Sequence, residues 1–407
     1  MKKHLTALMI CLALAAQAQT IKSLKKDMYG IAADATEGRF TGSPGYLKAA
    51  NYVARQLRAS GLKTTFQPVP FIRDNYDASF ITVNGATFPH RGGNFIILQR
   101  AVQQTGEWVV LPQRPDSTET DVLLKQRVAG VILLPSIEQA KDWETTVIRQ
   151  YRFGYMHYLA DYVPTNASLT FILVSPSIAE TLKAEKPRVN LKYKQEQING
   201  YNVIATLPGT GKQLQDQTIV AGAHLDNIGR LGNHIYNGAN DDASGCVALL
   251  ASAKATAAHP TKRPLTFVFY CGEELNLFGS RYFTDHPPVP VKNILVNINL
   301  EQVGSKHRSF RGIWAVATPG FEKDFHNSGK AFPESELKYT PIDSLLNEIS
   351  NTDTYSFMNK SVPSVLLSSG GFDEHHSPLD KIDLIDFEHL QKVALLLNEF
   401  ITRLGNK

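Results

Sequence analysis

The chain has 407 residues, 43% of them hydrophobic and 20% charged, with a formal net charge of +4. That length accommodates two domains, and the composition is that of a globular protein with a sizeable core. Its positive charges are spread along the chain without a basic cluster, which argues against a nucleic-acid partner.

Residues 1–18 read as a removable leader. Lys2, Lys3 and His4 form a basic start, residues 5–16 are mostly apolar, and Ala16-Gln17-Ala18 fits a signal-peptidase site. The apolar run falls short of the about 18 residues needed to span a bilayer. No later segment suits a membrane span, so the mature protein is expected in the periplasm or the medium. Beyond the leader only Cys246 and Cys271 remain. Export permits a disulfide, but one lies in a helix-like run and the other ends an apolar strand. Buried free thiols are therefore expected, and two sulfurs alone make a poor zinc cage.

GRFTGSPGYLKAANYVARQLRASG (38–61) is a Gly/Pro turn followed by a helix, with Tyr46, Ala49, Ala50, Val53 and Leu57 at helical spacing and Gly61 as a stop. Between 71 and 195 short β-like runs (80–83, 94–98, 108–111, 130–134, 169–174) alternate with polar loops. This reads as an inserted β-rich domain between two parts of a main domain, 19–70 and 196–407. It holds His90 and His157 but no clustered acid–His set, so no chemistry is assigned to it.

From 200 onward strands and helices alternate. NVIATL (202–207) leads through a polar, hairpin-like turn to TIVAGAHLD (218–226). A helix follows at 243–259, then apolar strands at 265–270, 294–300 and 364–369, and an amphipathic helix at 387–404. Strands apolar throughout and separated by helices predict an α/β fold, with a mixed, mostly parallel sheet covered by helices on both faces.

In such sheets ligands bind beyond the carboxyl ends of the strands. His224 and Asp226 follow one strand, Glu273 and Glu274 another, Glu301 a third, and His375 and His376 a fourth, while Asp241 and Asp242 precede a helix. Each is weak evidence alone; Asp242 in particular suits a helix N-cap. Their coincidence on one sheet edge is the signal. Several ionised carboxylates cannot share a dry pocket without compensating positive charge. A His/carboxylate set without Cys suits zinc, and cobalt or manganese are compatible. Two divalent ions suit better than one, since Asp241, Glu274 and Glu301 bring three negative charges and a hydroxide supplies the fourth.

GAHLD, GANDDASG, GEELNLFGS, NLEQVG and HHSP, preceded by GRFTGSPG, occur in the order found in the secreted di-zinc aminopeptidase family, which the chain resembles over 38–62 and 200–405. The 71–195 segment resembles, by texture and position, the protease-associated domain inserted in many relatives. The resemblance implies a zinc-peptidase sandwich with two zinc ions per chain. His224 and Glu301 would hold one, Glu274 and His376 the other, and Asp241 would bridge them. Asp226 would orient His224, and Glu273 would be the general base for a metal-bridged hydroxide attacking the peptide bond. Adjacent residues on an extended segment point opposite ways, which would give the two glutamates separate tasks. Asp353 would support the site from behind it.

This sequence departs from the family pattern in three places: Glu301 stands for the more usual Asp, His375 where some relatives place an oxyanion-stabilising Tyr, and Thr354 where His is common. The substrates implied are peptides cleaved at the N-terminus. A carboxypeptidase or dipeptidase gripping a C-terminal carboxylate through Arg308 or Arg311, a glutaminyl cyclase, and a non-catalytic peptide-binding relative share the same scaffold. Oligomeric state is not legible.

Overall fold

A computed structural model describes residues 19–90, 93–101, 106–161, 167–182 and 186–407; the leader expected at 1–18 lies outside them. The chain divides into two compact units. The first comprises the chain up to Val69, Asn199–Arg230 and Ile235–Lys407, and the second Pro70–Ile198 with Leu231–His234. Leu231–His234 thus join the second unit although they lie inside the 196–407 segment.

The first unit carries the strands β1 (Lys63–Asn75, which leads out of it), β2 (Lys194–Leu207, which returns), β3 (Thr218–His224), β4 (Leu265–Tyr270), β5 (Ile294–Glu301), β6 (Ile313–Ala317), β7 (Leu337–Pro341) and β8 (Ser364–Ser368). Its main helices are α1 (Ile21–Ala32), α2 (Pro44–Ala59), α3 (Ala243–Ala258), α4 (Phe278–Asp285), α5 (Glu322–Ser328), α6 (Thr354–Met358) and α7 (Phe387–Asn406). α2 begins where the GRFTGSPG turn predicts. Ser43 accepts from the Tyr46 N–H, Pro44 occupies the first turn, and Tyr46, Ala49, Ala50, Val53 and Leu57 are buried. α3 is buried along almost its whole length, as a helix apolar on every side must be.

The sheet order is β7–β6–β8–β5–β3–β4–β2–β1. β3 runs parallel to β4 and β5, and β5 parallel to β8. β2 is antiparallel to β4, and β6 antiparallel to β8. The hairpin-like turn expected between 207 and 218 does not form a hairpin. β4 is inserted between β2 and β3, because an all-apolar strand buries more surface at the centre of a sheet than at an edge. Helices α1, α2, α3 and α7 pack together with α3 against β3 and β5, while α4 and α6 pack together with α6 against β5 and β8. Val220, Val268 and Tyr270 meet Phe283 of α4 and Phe357 of α6 in one buried cluster. Both faces are therefore covered, and the parallel strands β3, β4, β5 and β8 deliver their carboxyl ends to one edge.

The second unit is β-rich with helices of its own. One sheet runs Phe95–Gln99, Thr170–Val174, Gly130–Leu133, Trp108–Leu111, and a smaller one Ala86–Pro89, Phe80–Val83, Arg188–Asn190. Ser117–Lys125 starts with a capping box from Asp116 and Glu119. Among the described residues no helix is long and apolar enough to cross a membrane. Cys246 and Cys271 are buried free thiols.

Candidate metal centre

β3 ends on His224 and β5 on Glu301, both buried. Parallel pairing puts their side chains on one edge, where the His224 Nε2 lies 3.4 Å from Glu301 Oε1. Asp241, in the turn before α3, reaches the same nitrogen with Oδ1 at 3.1 Å. Its other oxygen lies 3.3 Å from His376 Nε2, and that nitrogen is 3.2 Å from Glu274 Oε2. Around Asp241, which gives one oxygen to each side, the donors fall into His224–Asp241–Glu301 and His376–Asp241–Glu274; by mutual approach within 4.8 Å they fall into His224–Glu273–Glu301 and Asp241–His375–His376. Metal–donor bonds of about 2.0–2.2 Å in tetrahedral array put neighbouring donors about 3.3 Å apart, so all these spacings fit an ion. Glu273 Oε2, 3.9 Å from His224 Nε2, stands outside that spacing.

Glu273 and Glu274 do have different partners, but not for the reason expected. They lie in a turn rather than on an extended segment: β4 stops at Tyr270, Gly272 takes φ 66, and Asn276 and Leu277 both donate to the Glu273 carbonyl. The turn directs Glu273 toward His224 and lets Glu274 accept from Asn227 Nδ2 at 3.0 Å.

Asp226 is buried beneath His224. The His224 Nδ1 lies 3.2 Å from the Asp226 main-chain carbonyl and 3.9 Å from its carboxylate. The carboxylate instead accepts from the Glu273 N–H at 3.2 Å, so this residue fixes the histidine by its backbone and the glutamate turn by its side chain. Asp242 caps α3, its Oδ1 accepting from Gly245 N at 3.1 Å and from Gln302 N at 3.0 Å.

Burial and neighbouring charge pull the titratable groups of this pocket in opposite directions. Burial, reinforced by Glu301 and Glu274 and opposed by His224, pushes the Glu273 carboxyl well above the usual range. Burial works against a cation at His224, yet Glu273 and Glu301 outweigh it and hold that imidazole well above its ordinary value. His376 likewise is lifted to about 10 against burial, by Glu274 and Asp241. Burial also pushes Asp353 up to about 7 and Asp226 up to about 6, with His224 pulling both the other way. Carboxylates gathered this closely favour a proton or another positive charge among them. Glu301 Oε2 is buried with no hydrogen-bond partner among the described residues, an acceptor that a metal would satisfy.

His375 also reaches Asp241, Nε2 to Oδ2 at 3.1 Å, and its ring stacks on His376 with centroids 3.8 Å apart and planes at 32°. Asp241, His375 and His376 therefore bring three possible donor atoms within 4.8 Å of one another. His376, which also meets Glu274, is the better placed donor. Arg308 is held by Asp386 at 3.2 Å and by the Ser305 carbonyl at 2.7 Å.

Sequence reasoning missed several residues that hold this site. Asn227 ties Glu274 to the Asp241 carbonyl. Asp380 accepts from the Asn240 and Asp241 N–H groups at 2.8 and 3.0 Å. Arg39 and Thr41 stand in the GRFTGSPG motif, which carried the signal but was read only as a turn. Asp380, just past HHSP, had no signal at all.

A model of peptidase family M28 matches residues 202–401. A probable leucine aminopeptidase of Trichophyton verrucosum is 26% identical over 224 residues, covering 51% of this chain and 58% of the relative, so the chain spans little more than half the length of that curated protein. Among solved structures, a zinc aminopeptidase from Bacillus subtilis aligns with a TM-score of 0.66 at 17% identity, over 95% of this chain and 96% of the other. A peptidase M28 precursor from Shewanella amazonensis aligns at 0.59 and 17%, over 99% and 97%. At these identities the structural likeness carries the fold.

Proposed function

We propose that this chain, which belongs to peptidase family M28, removes N-terminal residues from peptides by zinc-assisted hydrolysis. One observation carries the reading: Asp241 offers an oxygen to each of two donor sets whose spacings match tetrahedral zinc. His224, Asp241 and Glu301 would hold one ion, and His376, Asp241 and Glu274 the other. Zinc bound there lowers the pKa of water and polarises the scissile carbonyl.

The remaining chemistry belongs to the protein. Glu273, close to the first donor set but outside ligand spacing, takes a proton from the attacking water at its carboxylate oxygen and returns it to the leaving amine. Asp226 holds the turn that carries Glu273 by accepting from its main-chain N–H. His224 is kept in one orientation by the Asp226 carbonyl at Nδ1, which leaves Nε2 facing the carboxylates. Asp353, buried and within electrostatic reach of His224, Glu301 and Asp226, would support the site. Of the two arginines that could grip a C-terminal carboxylate, Arg308 is already engaged by Asp386, while Arg311 is exposed and stays available for the carboxypeptidase alternative. The second unit is read as a protease-associated-like insertion outside the chemistry.

The test is turnover on free, N-acetylated and C-amidated peptides with metal content measured in parallel. Cleavage that requires a free amine and tolerates C-amidation is the expected result. Equal cleavage of N-acetylated peptides would overturn the aminopeptidase reading, and full activity without bound metal would overturn the zinc reading.

A further inference from the structure

The GRFTGSPG turn contributes no residue to either donor set, yet it reaches three of the loops that carry them. Arg39 is wholly buried. Its guanidinium donates from Nε to the Leu225 carbonyl at 2.7 Å, from Nη2 to Gly238 at 2.9 Å, and from Nη1 to Asn237. Leu225 lies between His224 and Asp226, and Asn237 and Gly238 open the run that ends at Asp241. The Asn227 N–H donates back to the Arg39 carbonyl at 3.4 Å. Two residues on, Thr41 Oγ1 accepts from Gly272 N at 2.8 Å, immediately before Glu273. One short turn therefore grips the loops of His224, Asp241 and the paired glutamates.

The arrangement is costly, and the cost argues for a purpose. A guanidinium removed from water loses its hydration, and here it meets main-chain carbonyls rather than a paired carboxylate. Arg39 also takes φ 54, a left-handed backbone that disfavours a side chain. Gly38 before it has φ 70, and a Cβ there would sit 2.3 Å from the Gly229 carbonyl oxygen and 2.5 Å from that of Tyr236. The turn is thus seated tightly against the same loops. The three carbonyls are bound by three different nitrogens of one planar fork; a lysine ammonium has its three donors on a single nitrogen and cannot span them in that geometry.

The donor loops meet through the donors themselves, His224 with Asp241 and Glu301 and His376 with Asp241 and Glu274, whereas the Arg39 and Thr41 hydrogen bonds hold the backbones of those loops independently of the donor side chains. We propose that Arg39, assisted by Thr41, is a positioning residue that keeps three ligand-bearing loops at donor spacing before metal arrives, so that metal affinity depends on it. This rests on the metal reading above. A purely architectural role for the turn would lower the unfolding temperature and leave metal binding by the folded protein unchanged.

The experiment uses the full chain with Arg39→Lys, which keeps the charge and loses the fork, and Thr41→Val, which keeps the shape and loses the hydroxyl. Zinc dissociation constants are measured by chelator competition at a temperature where circular dichroism shows native structure. Visible absorption of the cobalt(II)-loaded proteins reports donor geometry. Arg39→Lys is expected to bind zinc about 10–100-fold more weakly with a changed cobalt spectrum, and Thr41→Val to shift both the same way by less. If Arg39→Lys does not fold, Thr41→Val decides alone. Wild-type zinc affinity and an unaltered cobalt spectrum in the folded variants overturn the proposal. Absence of zinc binding by the wild-type chain overturns the metal reading first and this proposal with it.

Discussion

His90 in the second unit and His224 in the first are both imidazoles sealed from solvent, and they are opposites. Around His90 stand the rings of Tyr76, Phe95 and Tyr155. Its Nε2 lies 3.2 Å from the Tyr155 hydroxyl, whose oxygen accepts from Ile97 N at 2.7 Å. Burial pushes the His90 imidazole down to about 4. Around His224 stand Asp241, Glu273 and Glu301, and the same burial is outweighed by their charge. The unit is not what matters, because His389 in the first unit behaves like His90. It contacts the Ser369 hydroxyl at 2.8 Å, and burial, with Arg308 nearby, takes it down to about 3. Of these three buried histidines only His224 has carboxylates gathered about its Nε2, which is what the proposed metal role requires.

If that contrast is right, the largest response comes from Glu273. Glu273→Gln keeps the shape and both donor sets, so bound zinc should stay while kcat falls about 10²–10⁴-fold; unchanged turnover removes Glu273 as the base. Next is Asp241→Asn, which takes one negative charge from both donor sets. Zinc affinity should fall on the order of 100-fold, read by metal analysis after dialysis against a weak chelator, and full retention of zinc contradicts the shared role.

In the second unit the expected response is stability, not chemistry. The folded pKa of His90 is below its ordinary value of 6.5, so its contribution is present above about pH 6.5. It is lost as pH falls toward about 4, because the unfolded chain takes up a proton that the folded imidazole refuses. That loss amounts to about 3 kcal/mol at most. His90→Phe should flatten the acid limb of denaturant unfolding followed against pH, with peptide hydrolysis at pH 7 unaltered. A fall in zinc content in this variant would erase the contrast between the two histidines. The smallest effect belongs to His157→Ala. Its partner Asp74 is 3.5 Å away at a partly exposed site, so stability should change by less than about 1 kcal/mol, with turnover unchanged within error.

The sheet was largely legible because its strands are apolar on both faces. Runs at 265–270, 294–300 and 364–369 appear as β4, β5 and β8 within a residue at either end. β6 and β7 were not anticipated: β6 is a five-residue run with a partly buried Trp314 between buried neighbours, and β7, at the sheet edge, has no buried residue in Leu337–Pro341. The donor residues stood out because charges at the ends of such strands have no bland account when several coincide. Arg39 did not, since a lone arginine in a Gly/Pro turn looks like a solvated side chain until the carbonyls of Leu225 and Gly238 are found on it.

Local pattern was enough to place acids and histidines at the carboxyl ends of parallel strands, since hydrophobic periodicity and strand polarity are written residue by residue. Whether Asp241 could serve both donor sets, how a turn rather than an extended segment separates Glu273 from Glu274, and what clamps the three loops together depended on contacts between segments remote in the chain. Those contacts follow from how β4 inserts between β2 and β3 and how the GRFTGSPG turn docks. Packing of distant elements sets distances of a few ångströms that no run of neighbouring residues encodes.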